Sequence, residues 1–558
     1  MSAANQQHVL SETAKDKARV TTIEHRGDPT AEDVENFSTR LRGRTLTVAL
    51  SFVAGTGFTL FGYDQGVMSA LLTANQFERV FPQVVVGTGP NHSTLQSFIV
   101  AIYEIGCLFG ALSNLWIGDR LGRRKTIVLG GAIMIIGAIL QTSSFGYAQM
   151  VVARIVTGFG NGLNVIHHKR TLVAQLLIRS QTSTVPSYHA ECSPAAKRGS
   201  FIMIEGSLIT FGVMLSYRSH PGGESPTSVS GFGSQTQSVL RLAKEGRNAE
   251  ALAVISALED KPYDDPSVQQ TFLGIKDAVA VESSSSTGKT ALKEIFTGGR
   301  SQNFRRASLG VINQCFQQIT GINLITYYAT ILFERLGIND VKSRILAACN
   351  GTEYFLASLI AIFLIDRVGR RKLMLFGAVG QCLTMILLAI LGSVDTSAAQ
   401  IVSAVLLFVF NSFFAVGWLG MTWLYPAEIV GLRIRAPANA FSTASNWIFN
   451  FMVVMVTGPS FSNINWGTYI VFAGLNAFII PVVYLYFPET AGRSLEDMDV
   501  VFALAYNEGV SPVEVSLRKD VPPAGTPEAD EILGINTENR SPSHDGDSRD
   551  DGRVAKQE

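Results

Sequence analysis

Along this chain long apolar runs alternate with short polar breaks, and a helix needs about 20 mainly apolar residues to cross a bilayer. Five such runs lie near 46–70, 94–117, 126–145, 149–166 and 201–217. Six more lie near 307–333, 344–365, 373–392, 400–425, 438–458 and 466–487. The pattern predicts an all-α, polytopic membrane protein. Between the two groups Leu252, Ile255 and Leu258 recur at helical spacing, ahead of a serine run at 283–286, which predicts a soluble helical linker. Residues 1–45 are polar, and from about 504 onward the composition turns polar again with Pro and Asp. The chain thus divides into a tail (1–45), a first bundle (46–217), an irregular segment with linker (218–300), a second bundle (301–503) and a disordered tail (504–558).

Charge gives these runs a direction. Gly118-Asp119-Arg120-Leu121-Gly122-Arg123-Arg124-Lys125 separates two runs of the first group, and Asp366-Arg367-Val368-Gly369-Arg370-Arg371-Lys372 separates two of the second. Short loops rich in Lys and Arg stay on the cytoplasmic side, so both loops, and Arg40, Arg42 and Arg44 before the first run, are expected there. The repeated phrase implies two homologous halves, an organisation of secondary transporters. Three runs follow the Asp119 loop before the linker and two precede the Asp366 loop, an odd total that would put the loops on opposite faces. A sixth span is therefore expected to be missing from the first half. Two stretches look foreign: Ile166-His167-His168-Lys169-Arg170, which breaks the fourth run, and Arg218 to Ser238, rich in Ser, Gly and Pro, where a sixth span belongs.

The chain is 47% hydrophobic and 16% charged, against about 25% charged in soluble proteins. Its formal net charge of zero implies no nucleic-acid partner. The five Cys lack CxxC spacing, so free thiols are expected and no metal site. No HExxH, phosphate loop or triad occurs, and His167-His168 falls in a foreign stretch, so neither an enzyme nor a cofactor is expected. No apolar segment follows a basic start, so no cleaved signal peptide is expected. Asn91-His92-Ser93 is a glycosylation sequon in a loop expected outside.

A second phrase recurs too: Glu191-Cys192-Ser193-Pro194-Ala195-Ala196-Lys197-Arg198-Gly199, and Pro426-Ala427-Glu428 leading to Arg435, with Glu and Arg at the same separation. Together with Gly62-Tyr63-Asp64, Gln317-Gln318-Ile319-Thr320-Gly321-Ile322-Asn323 and Pro488-Glu489-Thr490-Ala491-Gly492-Arg493-Ser494, these phrases resemble the sugar porter family of the major facilitator superfamily. The resemblance covers about 46–217 and 241–503, and Tyr188-His189-Ala190-Glu191 is similar to fungal members. The DRxGRR loops are shared across the superfamily; the QQxxGxN and PETxGRS phrases narrow it to sugar porters. The resemblance implies two six-helix halves, here without the sixth span of the first, rocking about a midplane site.

A sugar presents hydroxyls that each need a donor and an acceptor, and amides supply both without charge. Gln317, Gln318 and Asn323 share a broad face of one run, where polar groups are costly unless they meet a cavity or a partner helix. The resemblance implies that these three contact sugar, with Tyr327, Asn446 and Trp423, the last offering an aromatic face. Asp64 is an ionisable group inside an apolar run, where an unpaired charge is expensive. Proton-coupled members of the resembled family carry Asp there, which implies symport, with Arg154 as its expected partner. At the cytoplasmic ends of the runs, Asp119, Arg123, Arg124, Glu191, Arg198, Asp366, Arg370, Arg371, Glu428 and Arg435 are expected to latch one conformation by charge-assisted hydrogen bonds.

The chain also departs from the family. Gly206, beside Glu205, stands where many members have a sugar-binding Gln, and Tyr354, beside Glu353, where they have an Asn. Hexose, pentose and polyol all stay open as substrates. Members run almost directly from Gly158-Phe159-Gly160-Asn161-Gly162 to Pro186-Ser187-Tyr188, so 166–182 is expected to be a translated intron and 218–240 a frame-shifted or mis-spliced remnant. The expected partners are a sugar or polyol, a proton and the lipid bilayer. The expected form is a monomer in the plasma membrane with both termini cytoplasmic. The alternatives are a non-transporting nutrient sensor on the same fold and an inactive product of a defective gene model.

Overall fold

The computed structural model describes residues 58–86 except 60 and 70, 91–165 except 122, 198–218, short pieces between 252 and 272, and 293–534 except 395 and 432. All regular structure among them is helical. The first half contains α1 (58–71), the short α2 (Asn75–Val80), α3 (His92–Leu121), α4 (Arg123–Thr142), α5 (Tyr147–Val165) and α6 (Arg198–Arg218). The second contains α7 (Asn303–Ile319), α8 (Ile322–Arg335), α9 (Asp340–Val368), α10 (Arg370–Gly392) and α11 (Ser397–Gly417). It continues with α12 (Met421–Ile429), α13 (Arg435–Asn463) and α14 (Gly467–Tyr486). Among the described residues six helical stretches are long and apolar enough to cross a membrane. Large apolar side chains on the outer faces, such as Ile135, Ile139, Phe363, Leu383 and Ile401, are more than half exposed. A belt of this kind suits a lipid solvent.

Two expected runs are broken helices. The run 307–333 breaks at Thr320-Gly321 into α7 and α8, because Gly321 takes φ +95°, open to a residue without Cβ. A Cβ there would also lie 2.9 Å from the Phe472 ring. The run 400–425 breaks between α11 and α12, and Pro426 inside α12 has no N–H to offer the Thr422 carbonyl. Buried amides take up the freed carbonyls: Gln314 donates to Thr422 O at 2.8 Å, and Asn476 to Thr320 O at 2.9 Å. These bonds give both freed carbonyls a partner in an apolar setting, where an unpaired one is costly.

Small residues set the approach of α5 to α3. A Cβ at Gly158 would meet the Tyr103 carbonyl, and one at Gly162 the Cys107 carbonyl, so the backbones touch directly and Arg154 is carried onto α3. The halves meet along two further pairs, α3 with α13 and α6 with α9.

The halves are also tied at both ends of the bundle. At the end bearing the Arg-rich loops, Asp366 binds the first turn of α6. At the opposite end Tyr328 donates to Ser97 at 3.0 Å, Ser69 and Thr330 share a 3.3 Å hydroxyl bond, and Arg344 donates to the Thr73 carbonyl at 2.7 Å. The α8 backbone leaves helical geometry at Tyr328 (φ −121°). Around that kink the Thr326 carbonyl accepts from the Tyr217 hydroxyl, and the Thr330 N–H donates to Ser69.

Beyond the membrane helices the expectation of disorder fails for 504–534. Residues 495–533 form α15 (Leu495–Glu508), α16 (Pro512–Leu517) and α17 (Pro527–Leu533). The physical reason is local: Ser494 and Asp497 form a reciprocal capping box, Gly509 closes α15 at φ +69°, and Val515, Val521 and Ala529 are buried. The foreign segment 166–182, the stretch 219–240, the N-terminal tail and 535–558 lie outside the described residues. Leu252 and Ile255 of the linker are buried in short helical pieces, and Leu258 lies outside the described residues.

Candidate functional site

The amides singled out by sequence form one connected chain. The break at Gly321 sets Gln317 and Gln318 at the end of α7 and Asn323 at the start of α8. Asn446, on α13, donates to Gln317 Oε1 at 3.0 Å and to Gln314 Oε1 at 2.7 Å. Gln318 donates to Gln317 at 2.8 Å, and Asn323 donates to both Gln318 and Asn450 at 2.6 Å. All of these side chains are buried. The amides bond mainly to one another, Asn450 Nδ2 is left without a partner, and every member can exchange a neighbouring amide for a hydroxyl. Gln314 and Asn450 were missed by sequence, though Gln314 lies one turn from Gln318 and Asn450 one turn from Asn446. Trp423, on α12, is half-buried and packs on the core.

Tyr327, one turn beyond Asn323, turns toward the first half. Its hydroxyl donates to Glu104 Oε1 on α3 at 2.7 Å. Glu104 is fully buried and was not among the expected residues. The signal that could have found it is its position as the lone carboxylate in the run 94–117.

Asp64 sits on α1, and its expected pairing with Arg154 is indirect. Asp64 Oδ2 accepts from the Tyr103 hydroxyl at 3.2 Å. The Arg154 guanidinium lies over the Tyr103 ring, 5.2 Å from its centroid, and donates to the Val100 carbonyl at 3.0 Å. Tyr103 is therefore wedged between acid and base, with a cation–π contact on its face and a hydrogen bond at its tip. Asp64, Glu104 and Arg154 all lie within reach of one another's charge.

The charged end separates the latch candidates. Arg370 is the hub: it pairs with Glu428 at 2.9 Å and with Asp366 at 3.1 Å. Glu428 also accepts from Thr490 at 2.6 Å. Glu489, from the PETxGRS phrase, accepts from the backbone N–H of Arg370 and Arg371 at 2.8 and 3.1 Å, and so caps α10. Asp366 Oδ2 takes Ser200 Oγ at 2.6 Å and Ser200 N at 2.9 Å. Arg371 departs from the expectation: it donates to the Tyr484 carbonyl at 2.7 Å and stacks on that ring, because its place on α10 faces α14. Arg435 donates to the Val430 carbonyl at 3.3 Å. Glu191 and the side chains of Asp119, Arg123, Arg124 and Arg198 lie outside the described residues.

Of the departures from the family, Gly206 packs near Leu419 and Tyr354 is buried with its ring against Phe414. Glu353 accepts from Ser412 on α11.

The family model described as "Sugar (and other) transporter" matches residues 50–222 and 237–502, and its gap falls inside the irregular segment. The Sugar transporter STL1 of Saccharomyces cerevisiae is 37% identical over 502 residues, covering 85% of this chain and 84% of that protein. The MFS-type transporter oryC of Aspergillus oryzae is 38% identical over 483 residues, covering 82% and 86%. Among solved structures, the proton:xylose symporter XylE bound to 6-bromo-6-deoxy-D-glucose superposes with a TM-score of 0.63 at 20% identity, over 82% of this chain and 99% of that one. An inward-open xylose transporter XylE from E. coli gives 0.57 at 22% identity, again over 82% and 99%. This chain belongs to the sugar transporter family of the major facilitator superfamily.

Proposed function

We propose that the chain carries a sugar or polyol across the membrane by alternating access and that a proton travels with it, taken up at Asp64. The observation behind this reading is Asp64 itself, a carboxylate in an apolar helix held by Tyr103 with Arg154 behind the ring. A charge in such a place is expensive and is kept where it works. Protonation removes the negative charge facing Arg154 and loosens the wedge at Tyr103, which lets α1 move against α3 and α5. The symport named for the solved xylose structure supports the same reading.

Gln317, Gln318, Asn323 and Asn446 would exchange their mutual bonds for sugar hydroxyls, with Tyr327 beside them and Trp423 presenting a ring face. The Asp366, Arg370 and Glu428 cage would hold the cytoplasmic ends together in one state and release them in the other. Positive-inside retention puts the Arg-rich loops and both termini in the cytoplasm, and the protein works as a plasma-membrane monomer. Gly206 and Tyr354 in place of amides widen the substrate question beyond hexoses to smaller polyols.

The test is uptake of labelled glucose, xylose and glycerol by transport-deficient cells expressing this chain, at about pH 5 and about pH 8, with a protonophore control. Uptake that falls at the higher pH and collapses with protonophore supports symport. Uptake indifferent to both removes the proton and leaves facilitated transport. No uptake, with activity restored once 166–182 is deleted and a sixth span is supplied, identifies this chain as a defective copy.

A further inference from the structure

We propose that Glu104 is a second carboxylate of the proton site and relays its protonation to the sugar amides through Tyr327; this deepens, and rests on, the symport reading above. Glu104 stands where the two clusters touch. Its chain neighbour Tyr103 donates to Asp64, and its own Oε1 accepts from Tyr327 of the other half at 2.7 Å. Its Oε2 is buried with no hydrogen-bond partner. Tyr327 in turn lies one helical turn from Asn323, which anchors the amide chain at Gln318 and Asn450.

The charges require a shared proton. Asp64 on α1, Arg154 on α5 and Tyr327 on α8 face Glu104, while Tyr103 and Cys107 share its helix. The only charged residue of α13, Arg435, is at the charged end, as are Arg123, Arg124 and Lys125 of α4. Among the described residues two buried carboxylates thus face a single guanidinium, and ionising both leaves one anion uncompensated in a low dielectric. One proton held between them removes that cost. When it sits on Glu104, a new O–H forms at the unpartnered Oε2, and the bond from Tyr327 drops from charge-assisted to neutral. The Tyr327 hydroxyl then becomes free to bond a substrate hydroxyl. When the proton leaves toward the other side, Glu104 reclaims Tyr327 and the substrate loses a partner. Each proton therefore gates one contact to sugar.

The full chain in proteoliposomes tests this with labelled glucose, xylose and glycerol, following concentrative uptake under a pH gradient, substrate-dependent proton entry and counterflow. For Glu104→Gln, uptake and proton entry should fall about tenfold relative to counterflow, an ordinary size for coupling between two sites. Tyr327→Phe should flatten the pH dependence of KM with Glu104 intact, and it decides the matter if Glu104→Gln does not fold. Proton entry and a pH profile like wild type in Glu104→Gln, or an unchanged pH dependence of KM in Tyr327→Phe, overturn the proposal alone. Wild-type transport without proton entry overturns the symport reading and this proposal together.

Discussion

Asp366 of the second half caps α6 of the first half: its carboxylate takes the Ser200 hydroxyl at 2.6 Å, the Ser200 N–H at 2.9 Å and the Gly199 N–H at 3.1 Å. These are the orphan donors of a helix N-terminus, so an anion there satisfies both hydrogen bonding and the helix dipole. Because the bonds cross between halves, opening this end would break them. Asp366→Ala should shift the conformational equilibrium toward the state open at this end. Hydrogen bonds to a charged group are worth about 1.5–3 kcal/mol, a shift of about tenfold to a hundredfold in population. Spin-label distances across the α6–α9 pair report it, and an unchanged distance distribution would count against the latch.

Asn446→Ala removes the donor that joins α13 to Gln314 and Gln317. Sites built to hydrogen-bond a substrate lose heavily when one buried partner is left unpaired. The expected outcome is a KM raised by about tenfold to a hundredfold, with the amount of folded protein little changed. Concentration-dependent initial rates check it. A variant with wild-type KM for every transported substrate places the sugar elsewhere.

The membrane made part of this site legible in advance. Polar residues stand out in apolar runs, so Asp64, Gln317, Gln318 and Asn323 could be picked from sequence, and the duplicated Arg-rich loops gave the two-half organisation. What sequence could not show is which groups on different helices meet. Tyr103 between Asp64 and Arg154, Tyr327 on Glu104, and Asp366 on Ser200 all depend on how α3, α6 and α8 are packed. Arg371 differs from Arg370 by one position, about 100° around a helix, and that rotation sends it to Tyr484 rather than Glu428. The helices after 504 were hidden by average polarity, although Ser511-Pro512 and Thr526-Pro527 carry N-cap signatures.

Gly321 tests the break that builds the amide cluster. Its φ of +95° lies where side-chain-bearing residues rarely go, and a Cβ would press on the Phe472 ring at 2.9 Å. Gly321→Ala should cost on the order of 1–3 kcal/mol from strain, before any clash. The expected outcome is a lower melting temperature in detergent together with weakened substrate binding, because Gln318 and Asn323 flank the turn. Thermal unfolding and binding of the transported substrate check both. A variant as stable as wild type would show that the turn has another conformation open to it.

Asp497 gives the segment after the membrane helices a defined pH dependence. Burial works against its carboxylate, but the Ala524 N–H at 2.8 Å and the Ser494 N–H at 2.7 Å overcome it and hold the pKa below the usual carboxylate range. A depressed pKa means that the stabilisation is complete above the unfolded value, about 3.9, and is lost as the pH falls through the folded value. Asp497→Asn should therefore behave at neutral pH as the wild type does in acid. Loss of the reciprocal cap costs about 1 kcal/mol, enough to loosen α15 and the loop that reaches Ala524. Hydrogen exchange across 495–533 should show faster exchange in the variant at neutral pH, with the two proteins converging as the pH falls through the depressed pKa of Asp497. Equal exchange at neutral pH would mean that Ser494 alone holds the helix start and that the contact to Ala524 adds nothing.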